Sequence, residues 1–175
     1  CSSLLSSIEM HLLVCAIGVA LLGALAWCDV AHRRLPDRLV GALALLYFVA
    51  AAFSKVPLAF VAVHVAVATI AFTIGALLFA AGVMGGGDVK FAAAVFLWAG
   101  AKLAMPTFAL ISLTGLVVTL VALAAGWIVR RSPQGMLAHV ASPWIAARGV
   151  PYGVAISFGA LPIIALCTLV GGTAS

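Results

Sequence analysis

Long apolar runs, separated by short polar breaks, are the feature of this sequence that most limits its fold. Of the 175 residues, 66% are hydrophobic and only 7% are charged, whereas an ordinary soluble domain is about 45–50% apolar. A transmembrane helix needs about 20 predominantly apolar residues. The runs therefore predict an all-α membrane protein, a polytopic bundle of about six transmembrane helices without a separate soluble domain.

The runs and their breaks predict six spans within a single transmembrane domain that covers residues 1–175. The spans are expected at 11–28, 39–53, 58–82, 89–105, 107–129 and 151–172. The segment 132–149 is too polar to span and is predicted to lie at the membrane interface. The first run leads into Asp29 without a small-residue cleavage site, so we expect a retained helix rather than a removed signal peptide.

The basic residues indicate how the chain is oriented in the membrane. Nine Lys and Arg residues stand against four acids, and short cytoplasmic loops carry such an excess in membrane proteins. Seven of them follow the odd-numbered spans: Arg33, Arg34, Arg38, Lys90, Arg130, Arg131 and Arg148. Only Lys55 and Lys102 follow the even-numbered spans. The pattern predicts no nucleic-acid partner, and it places Asp29 and Asp88 together at the cytoplasmic face.

The acidic residues are few, and two of them lie at the ends of predicted spans. Glu9, Asp29, Asp37 and Asp88 are the complete set, and an ionisable group at the edge of a span is costly enough to indicate function. A lone Asp there is equally well interpreted as a helix cap or an interfacial anchor. A pair on one side favours chemistry, because two close carboxylates share a single proton.

Such a pair can hydrolyse a peptide bond with water. The ionised carboxylate deprotonates the water, while the protonated one donates a hydrogen bond to the scissile carbonyl oxygen. No metal and no cofactor is expected. Asp88 begins the fourth span, where free N–H groups favour a carboxylate, whereas Asp29 ends the first span, where the helix dipole opposes it. We therefore expect Asp88 to act as the base.

Several neighbouring residues have two interpretations each. The glycines before Asp88 either let another backbone approach closely or form a flexible turn. Lys90 either pairs with a catalytic carboxylate or follows the excess of basic residues in cytoplasmic loops, and Asp37 is interpreted as a supporting or loop-capping acid. His64 is expected to be a hydrogen-bonded histidine inside the bundle, and Trp98 is expected in an aromatic belt near the lipid headgroups. The four cysteines contain no CxxC pair, so neither a zinc site nor a disulfide framework is predicted.

Three motifs, in this order, resemble the type IV prepilin peptidase family of GxGD aspartyl peptidases. They are D-x5-L-P-D at Asp29, Leu35, Pro36 and Asp37, then G-x-G-D at Gly85, Gly86, Gly87 and Asp88 with Lys90 two residues beyond, then PYGVAI from Pro151, Tyr152 and Gly153. The resemblance implies that Asp29 and Asp88 are the catalytic pair. It also implies that the enzyme removes the short basic leader from pilin-like precursors, after a glycine, at the cytoplasmic face of the bacterial inner membrane.

The resemblance is to the compact branch of this family, which serves tight-adherence (Flp-type) pili. The larger members carry an additional N-terminal cytoplasmic region with paired cysteines and also methylate the new N-terminus, whereas the first span of this chain begins almost at once. PYGVAI is also similar to the motif of the compact branch. The resemblance thus implies leader cleavage without methylation, with pilin-like precursors, the lipid bilayer and the pilus assembly machinery as partners.

Three other functions remain open from the sequence. A proton-coupled transporter could relay protons through Asp29 and Asp88, although no inverted repeat is visible. A scaffold subunit of a pilus assembly machine would need no chemistry at all. A presenilin-like protease also contains GxGD, but this chain has ALPI and PYG where such proteases have PAL. No HExxH zinc motif is present.

Overall fold

The computed structural model describes residues 2–32, 34–131 and 152–169. These residues form five helices: α1 (Ser2–His32), α2 (Asp37–Phe53), α3 (Leu58–Ala80), α4 (Gly86–Arg131) and α5 (Tyr152–Leu169). Three apolar stretches in them are long enough to cross a membrane, namely Glu9–His32, Leu58–Ala80 and Gly86–Trp127. The described residues are therefore consistent with the predicted helical membrane protein. The predicted interfacial segment 132–149 and Pro151 lie outside the described residues.

Two prolines mark where the second and third helices begin. Pro36 and Pro57 occupy the N-cap positions of α2 and α3, where the missing N–H of proline removes no helical hydrogen bond. Lys55, with φ 52°, forms the turn between these helices, as the SKVP segment predicts. The first helix is longer than its predicted span: α1 continues to His32, so Asp29 lies within its last turns.

The prediction of six spans was wrong, because the described residues contain three apolar stretches long enough to cross a membrane. The break between the predicted spans 89–105 and 107–129 was also misplaced. Both lie in α4, which consists of two helices joined across a kink at Gly100 (φ 57°, ψ −169°). We expected the break between Lys102 and Pro106. Pro106 instead lies inside the helix after Gly100, where it removes a single backbone hydrogen bond, whereas glycine adopts the positive φ of a helix break without steric cost. We call 86–99 the first arm and 101–131 the second arm of α4.

The first arm of α4 runs antiparallel to α3. Its early residue Val89 packs against Gly75 in the second half of α3. Its late residue Leu97 contacts His64, near the start of α3. The first arm therefore leads from the end of α3 towards the beginning of α3.

The second arm returns in the opposite direction. Ile111 packs against Gly159 of α5, and Val118 packs against Val154, in the first turn of α5. That first turn in turn contacts Asp29 near the end of α1. The second arm thus leads back to the end of the bundle at which the first arm begins. Helix α1 ends there, and α5 begins there. We call this the aspartate end.

The core is built around the first arm of α4. Phe91 and Val95 of this arm are fully buried, and they share a cluster with Leu43 of α2 and Ile164 of α5. Trp98 belongs to the same cluster with 3% of its surface exposed, so its predicted place in an aromatic belt was wrong. Its indole N–H donates to the Leu43 carbonyl at 3.0 Å, which satisfies the polar atom that would make burial costly.

The contact between the second arm and α5 predicts different tolerances for two glycines. A Cβ atom at Gly159 would lie 2.8 Å from the backbone of Ile111, whereas one at Gly115 would lie 3.8 Å from Ala155 in the same interface. We expect Gly159→Ala to lower the free energy of unfolding by about 1–3 kcal/mol, because the two backbones must separate. Gly115→Ala serves as the matched control and should change it little. Equal unfolding curves for both variants in detergent would contradict the close approach.

Candidate active site

Asp29 and Asp88 are brought together at the aspartate end of the bundle. Asp29 belongs to α1 and is buried, with 6% of its surface exposed. Asp88 lies in the first turn of α4 and is half-buried. The two carboxylates interact electrostatically. The fold therefore joins the two acids that the sequence singles out, although 58 residues separate them along the chain.

The carboxylate of Asp88 folds back onto the start of its own helix. Gly85 is the residue before α4, and its carbonyl accepts the N–H of Val89 at 3.1 Å. The Asp88 carboxylate also lies against the backbone of Gly85, which favours its ionised form. A Cβ atom at Gly85 would lie 2.8 Å from Oδ2 of Asp88. A side chain at position 85 would therefore displace the carboxylate.

The carboxylate of Asp29 meets the start of a different helix. The backbone N–H of Val154, in the first turn of α5, donates to Oδ2 of Asp29 at 3.2 Å, and N–H groups in a first turn have no partner within their own helix. The approach needs a glycine, because a Cβ atom at Gly153 would lie 2.9 Å from Cγ of Asp29. Thus α5 supplies Asp29 with the type of contact that Asp88 receives from α4.

This contact removes the basis for the expected division of roles between the two acids. Asp88 was expected to be the base because only Asp88 lies at a helix N-terminus. In the fold, Asp29 lies near the C-terminal end of α1 but also accepts an N–H from the first turn of α5. Both carboxylates therefore meet helix N-termini, and helix dipoles do not distinguish base from acid.

The LPD motif lies beside the glycine motif. Asp37 is the first residue of α2, directly after Pro36, and its Oδ2 lies 2.8 Å from Nζ of Lys90 in α4. Lys90 thus pairs with Asp37 rather than with Asp29 or Asp88. Both side chains are well exposed, at 50% for Lys90 and 69% for Asp37, and ion pairs this exposed contribute about 0–1 kcal/mol.

The three glycines before Asp88 have different surroundings. A Cβ atom at Gly87 would lie 3.2 Å from the Cβ of Leu35, which is closer than an ordinary contact, and one at Gly85 would press on Asp88. At Gly86 the nearest atoms belong to the ring of Phe79 at 3.5 Å, an ordinary van der Waals distance. The two glycines that appear in the letters G-x-G are therefore the two at which a side chain would meet a neighbour at less than an ordinary contact distance.

The third motif contributes backbone to the site. Gly153 lies against Asp29, and Tyr152 begins α5 with its side chain exposed; Pro151 is outside the described residues. The hydrogen bond from Val154 was not foreseen from the sequence, because a backbone N–H has no signature of its own. Across the described ranges, no three His, Cys, Asp or Glu side chains lie together as metal ligands would.

Comparison with known families agrees with this geometry. The sequence model of the type IV leader peptidase family matches residues 16–120, which is more than half of the chain. The chain belongs to this family. The matched part includes Asp29, the LPD motif and the glycine motif, whereas Tyr152 and Gly153 lie beyond it. No curated protein and no solved structure matches the chain.

Membership of the type IV leader peptidase family decides between the classes of function that the sequence leaves open. Type IV leader peptidases are aspartic-type enzymes that act on pilin precursors. The chain is therefore an aspartic-type peptidase embedded in a membrane. Neither a transporter nor a scaffold subunit fits this family.

The neighbours Gly85 and Gly86 should respond differently to alanine. Gly85→Ala places a methyl group against the Asp88 carboxylate, a mobile group, so we expect unchanged stability and a fall in the rate of leader cleavage of about tenfold or more. Gly86→Ala has room for its methyl group and should retain activity. Initial rates on a pilin-like precursor and thermal unfolding in detergent measure both effects. Equal activity of the two variants would refute the proposed contact at Gly85.

Gly153→Ala should affect stability as well as activity. The new methyl group would meet Cβ and Cγ of Asp29 at 2.9–3.0 Å, and Cβ cannot move without its helix, so α1 and α5 must separate. We expect a loss of about 1–3 kcal/mol in the free energy of unfolding together with slower cleavage. Gly41→Ala, in open surroundings near the start of α2, is the control. A Gly153→Ala variant as stable and active as Gly41→Ala would contradict the packing described here.

Proposed function

We propose that this peptidase removes the short basic leader of pilin-like precursors with Asp29 and Asp88 as its catalytic pair. The cut follows a glycine at the junction between the leader and the apolar segment of the precursor. The precursors proposed are those of tight-adherence (Flp-type) pili, because PYGVAI is similar to the motif of that compact branch. The reaction is proposed to occur at the cytoplasmic face of the bacterial inner membrane.

The observation that supports this proposal is that Asp29 and Asp88 lie close enough to interact electrostatically. The Asp29 carboxylate accepts the N–H of Val154 at the start of α5, and the Asp88 carboxylate lies against Gly85 at the start of α4. Two neighbouring carboxylates in apolar surroundings hold one proton between them. The pair therefore supplies both a base and an acid within one site.

These two groups are sufficient for hydrolysis by water. The ionised carboxylate removes a proton from a water molecule as the oxygen attacks the scissile carbonyl carbon. The protonated carboxylate donates a hydrogen bond to the carbonyl oxygen and stabilises the tetrahedral intermediate. The proton taken from water then passes to the leaving amine. The pair is assigned these two roles jointly, because the carboxylates of both acids contact the N-terminus of a helix.

The substrate must be unwound where it is cut. A peptide bond in a helix is shielded by its own hydrogen bonds, so the junction has to be extended between Asp29 and Asp88. Gly85, Gly86 and Gly87 present backbone without side chains beside Asp88, which supports entry of an extended segment. A glycine before the cleaved bond of the substrate would allow the same close approach.

The charges at the aspartate end support its orientation towards the cytoplasm. Arg34 and Arg38 flank the start of α2, and Lys90 lies in the first turns of α4, whereas Lys55 lies at the opposite end. In membrane proteins, basic residues are concentrated in the short loops on the cytoplasmic side of the membrane. The leader of a precursor inserted in the same membrane would then lie on the same side as the two aspartates.

Asparagine variants test the catalytic pair. Asp29→Asn and Asp88→Asn keep the size of the side chain but remove the ionisable group, so we expect each to lower the cleavage rate about 10²–10⁴-fold. The purified protein is incubated in detergent with a precursor that carries a basic leader, and the shortened product is identified by mass spectrometry.

Glu9→Gln provides the matched control, because Glu9 is an exposed acid in the other half of α1 and should be dispensable. Thermal unfolding shows whether each variant is folded. A double variant, with Asn at both positions 29 and 88, that still trims the precursor would end this proposal.

A further inference from the structure

The break in α4 lies at Gly100, which is buried, whereas Ala101 and Lys102 directly after it are exposed. The first arm has 14 residues, from 86 to 99, and is therefore about 21 Å long, shorter than the roughly 30 Å of a bilayer core. A break in a helix frees backbone groups from their partners in the helical ladder. Such groups are tolerated in a membrane only where the protein itself satisfies them.

His64 of α3 satisfies one of these groups. Its Nδ1 lies 2.9 Å from the carbonyl oxygen of Leu97, and because a carbonyl can only accept, Nδ1 is the nitrogen that carries the proton in this contact. In an unbroken helix the Leu97 carbonyl would accept the N–H of residue 101, four positions on. The imidazole of His64 therefore provides a donor at the point where the helical ladder is interrupted.

The same imidazole fills the space beside Gly100. A Cβ atom at Gly100 would overlap the Cε1 and Nε2 atoms of His64, so the ring occupies the place that a side chain would take. Gly100 also has φ 57°, a conformation that glycine adopts freely. The position of the His64 ring and the conformation of the break thus both require a glycine at position 100.

Aromatic side chains from the neighbouring helices hold the ring in place. Tyr47 of α2 stacks on His64 with ring centroids 5.3 Å apart and meets Trp98 edge-on at 5.7 Å. Trp98 is one position beyond Leu97, and its N–H donates to the Leu43 carbonyl of α2. Three helices therefore fix the position of the imidazole.

Small rotations at this break become large displacements at Asp88. Asp88 is twelve positions before Gly100, which corresponds to about 18 Å of helix. A tilt of about 10° at Gly100 would move Asp88 by about 3 Å, and a misplacement of about 1 Å can cost roughly a hundredfold in rate. The direction of the first arm must therefore be held within a few degrees.

We propose that His64 is a positioning residue, which holds the first arm of α4 in the direction that brings Asp88 to Asp29. It touches neither substrate nor water in the reaction and acts through the Leu97 carbonyl and Gly100. The inference deepens the proposed function and depends on it for its effect on cleavage. Its effect on the geometry of the bundle does not depend on that function.

Two substitutions at position 64 separate the hydrogen bond from the volume of the ring. His64→Asn keeps an N–H donor close to the position of Nδ1, whereas His64→Leu keeps an apolar side chain of similar bulk without a donor. We expect His64→Leu to lower kcat about tenfold or more with little change in KM, since the arm moves but the substrate surface remains. His64→Asn should recover most of kcat. A Leu variant with normal kcat, or an Asn variant as slow as the Leu variant, would overturn the proposal.

A distance measurement gives a result that does not depend on cleavage. Spin labels at Trp27 and Lys90, both exposed, report the separation of α1 and the first arm in a variant whose four native cysteines are replaced. The distance distribution should shift or broaden in His64→Leu and remain as in the parent in His64→Asn. Unchanged distance distributions in both variants would overturn the positioning role, whether or not the parent protein cleaves a pilin precursor. Failure of the parent protein to cleave a precursor would count against the proposed function alone.

Thr73→Val is the control within α3, because the Thr73 hydroxyl is exposed and donates only to the Thr69 carbonyl of its own helix. It should change neither kcat nor the distances. If His64→Leu does not fold, His64→Gln takes its place in the experiment. The amide of the glutamine side chain extends towards the position of Nε2, so it should not restore the hydrogen bond to the Leu97 carbonyl. Normal kcat and distances in His64→Gln would equally overturn the proposal.

Discussion

The structure depends on the free backbone N–H groups at the starts of two helices. In a bundle this apolar, a carboxylate needs a donor, and the first turn of a helix offers several that have no other partner. Asp88 uses the start of α4, at Gly85, and Asp29 uses the start of α5, at Val154. The starts of α4 and α5 therefore each provide the surroundings of one of the two acids.

Glycines, which have no side chain, make these contacts possible. Gly85 leaves room for the Asp88 carboxylate, Gly87 lets the LPD segment approach through Leu35, and Gly153 lets α5 approach Asp29. Each motif thus supplies either an acidic residue or a glycine whose backbone packs against an acidic residue or a loop. The three motifs, which are distant in sequence, form one packed unit at the aspartate end.

Much of this arrangement could be predicted from the sequence, because apolar runs and prolines determine the helices directly. The end of α2 before the SKVP turn, the start of α3 after Pro57 and the hydrogen-bonded interior position of His64 agree with the sequence-based expectations. The break in α4 could not be located, because a proline is a visible signal, whereas the need for a positive φ at Gly100 arises from packing against His64.

Two further features could not be read from the chain alone. Trp98 is buried rather than interfacial because a carbonyl of α2 receives its N–H, and that partner is known only once the helices are assembled. The hydrogen bond from Val154 to Asp29 likewise joins residues at opposite ends of the sequence. Local patterns identify the acids, while tertiary contacts decide what surrounds them.

The exposed ion pair between Lys90 and Asp37 has a consequence for how the first two motifs stay together. Both side chains are exposed. Dissolved salt screens the attraction of an exposed ion pair, and at an ionic strength of about 0.15 M that screening acts over roughly 8 Å. The apolar contact of Leu35 with Gly87 is indifferent to such ions. Dehydrated packing, and not charge, therefore keeps the loop before α2 joined to the start of α4 when the ionic conditions of the cell change.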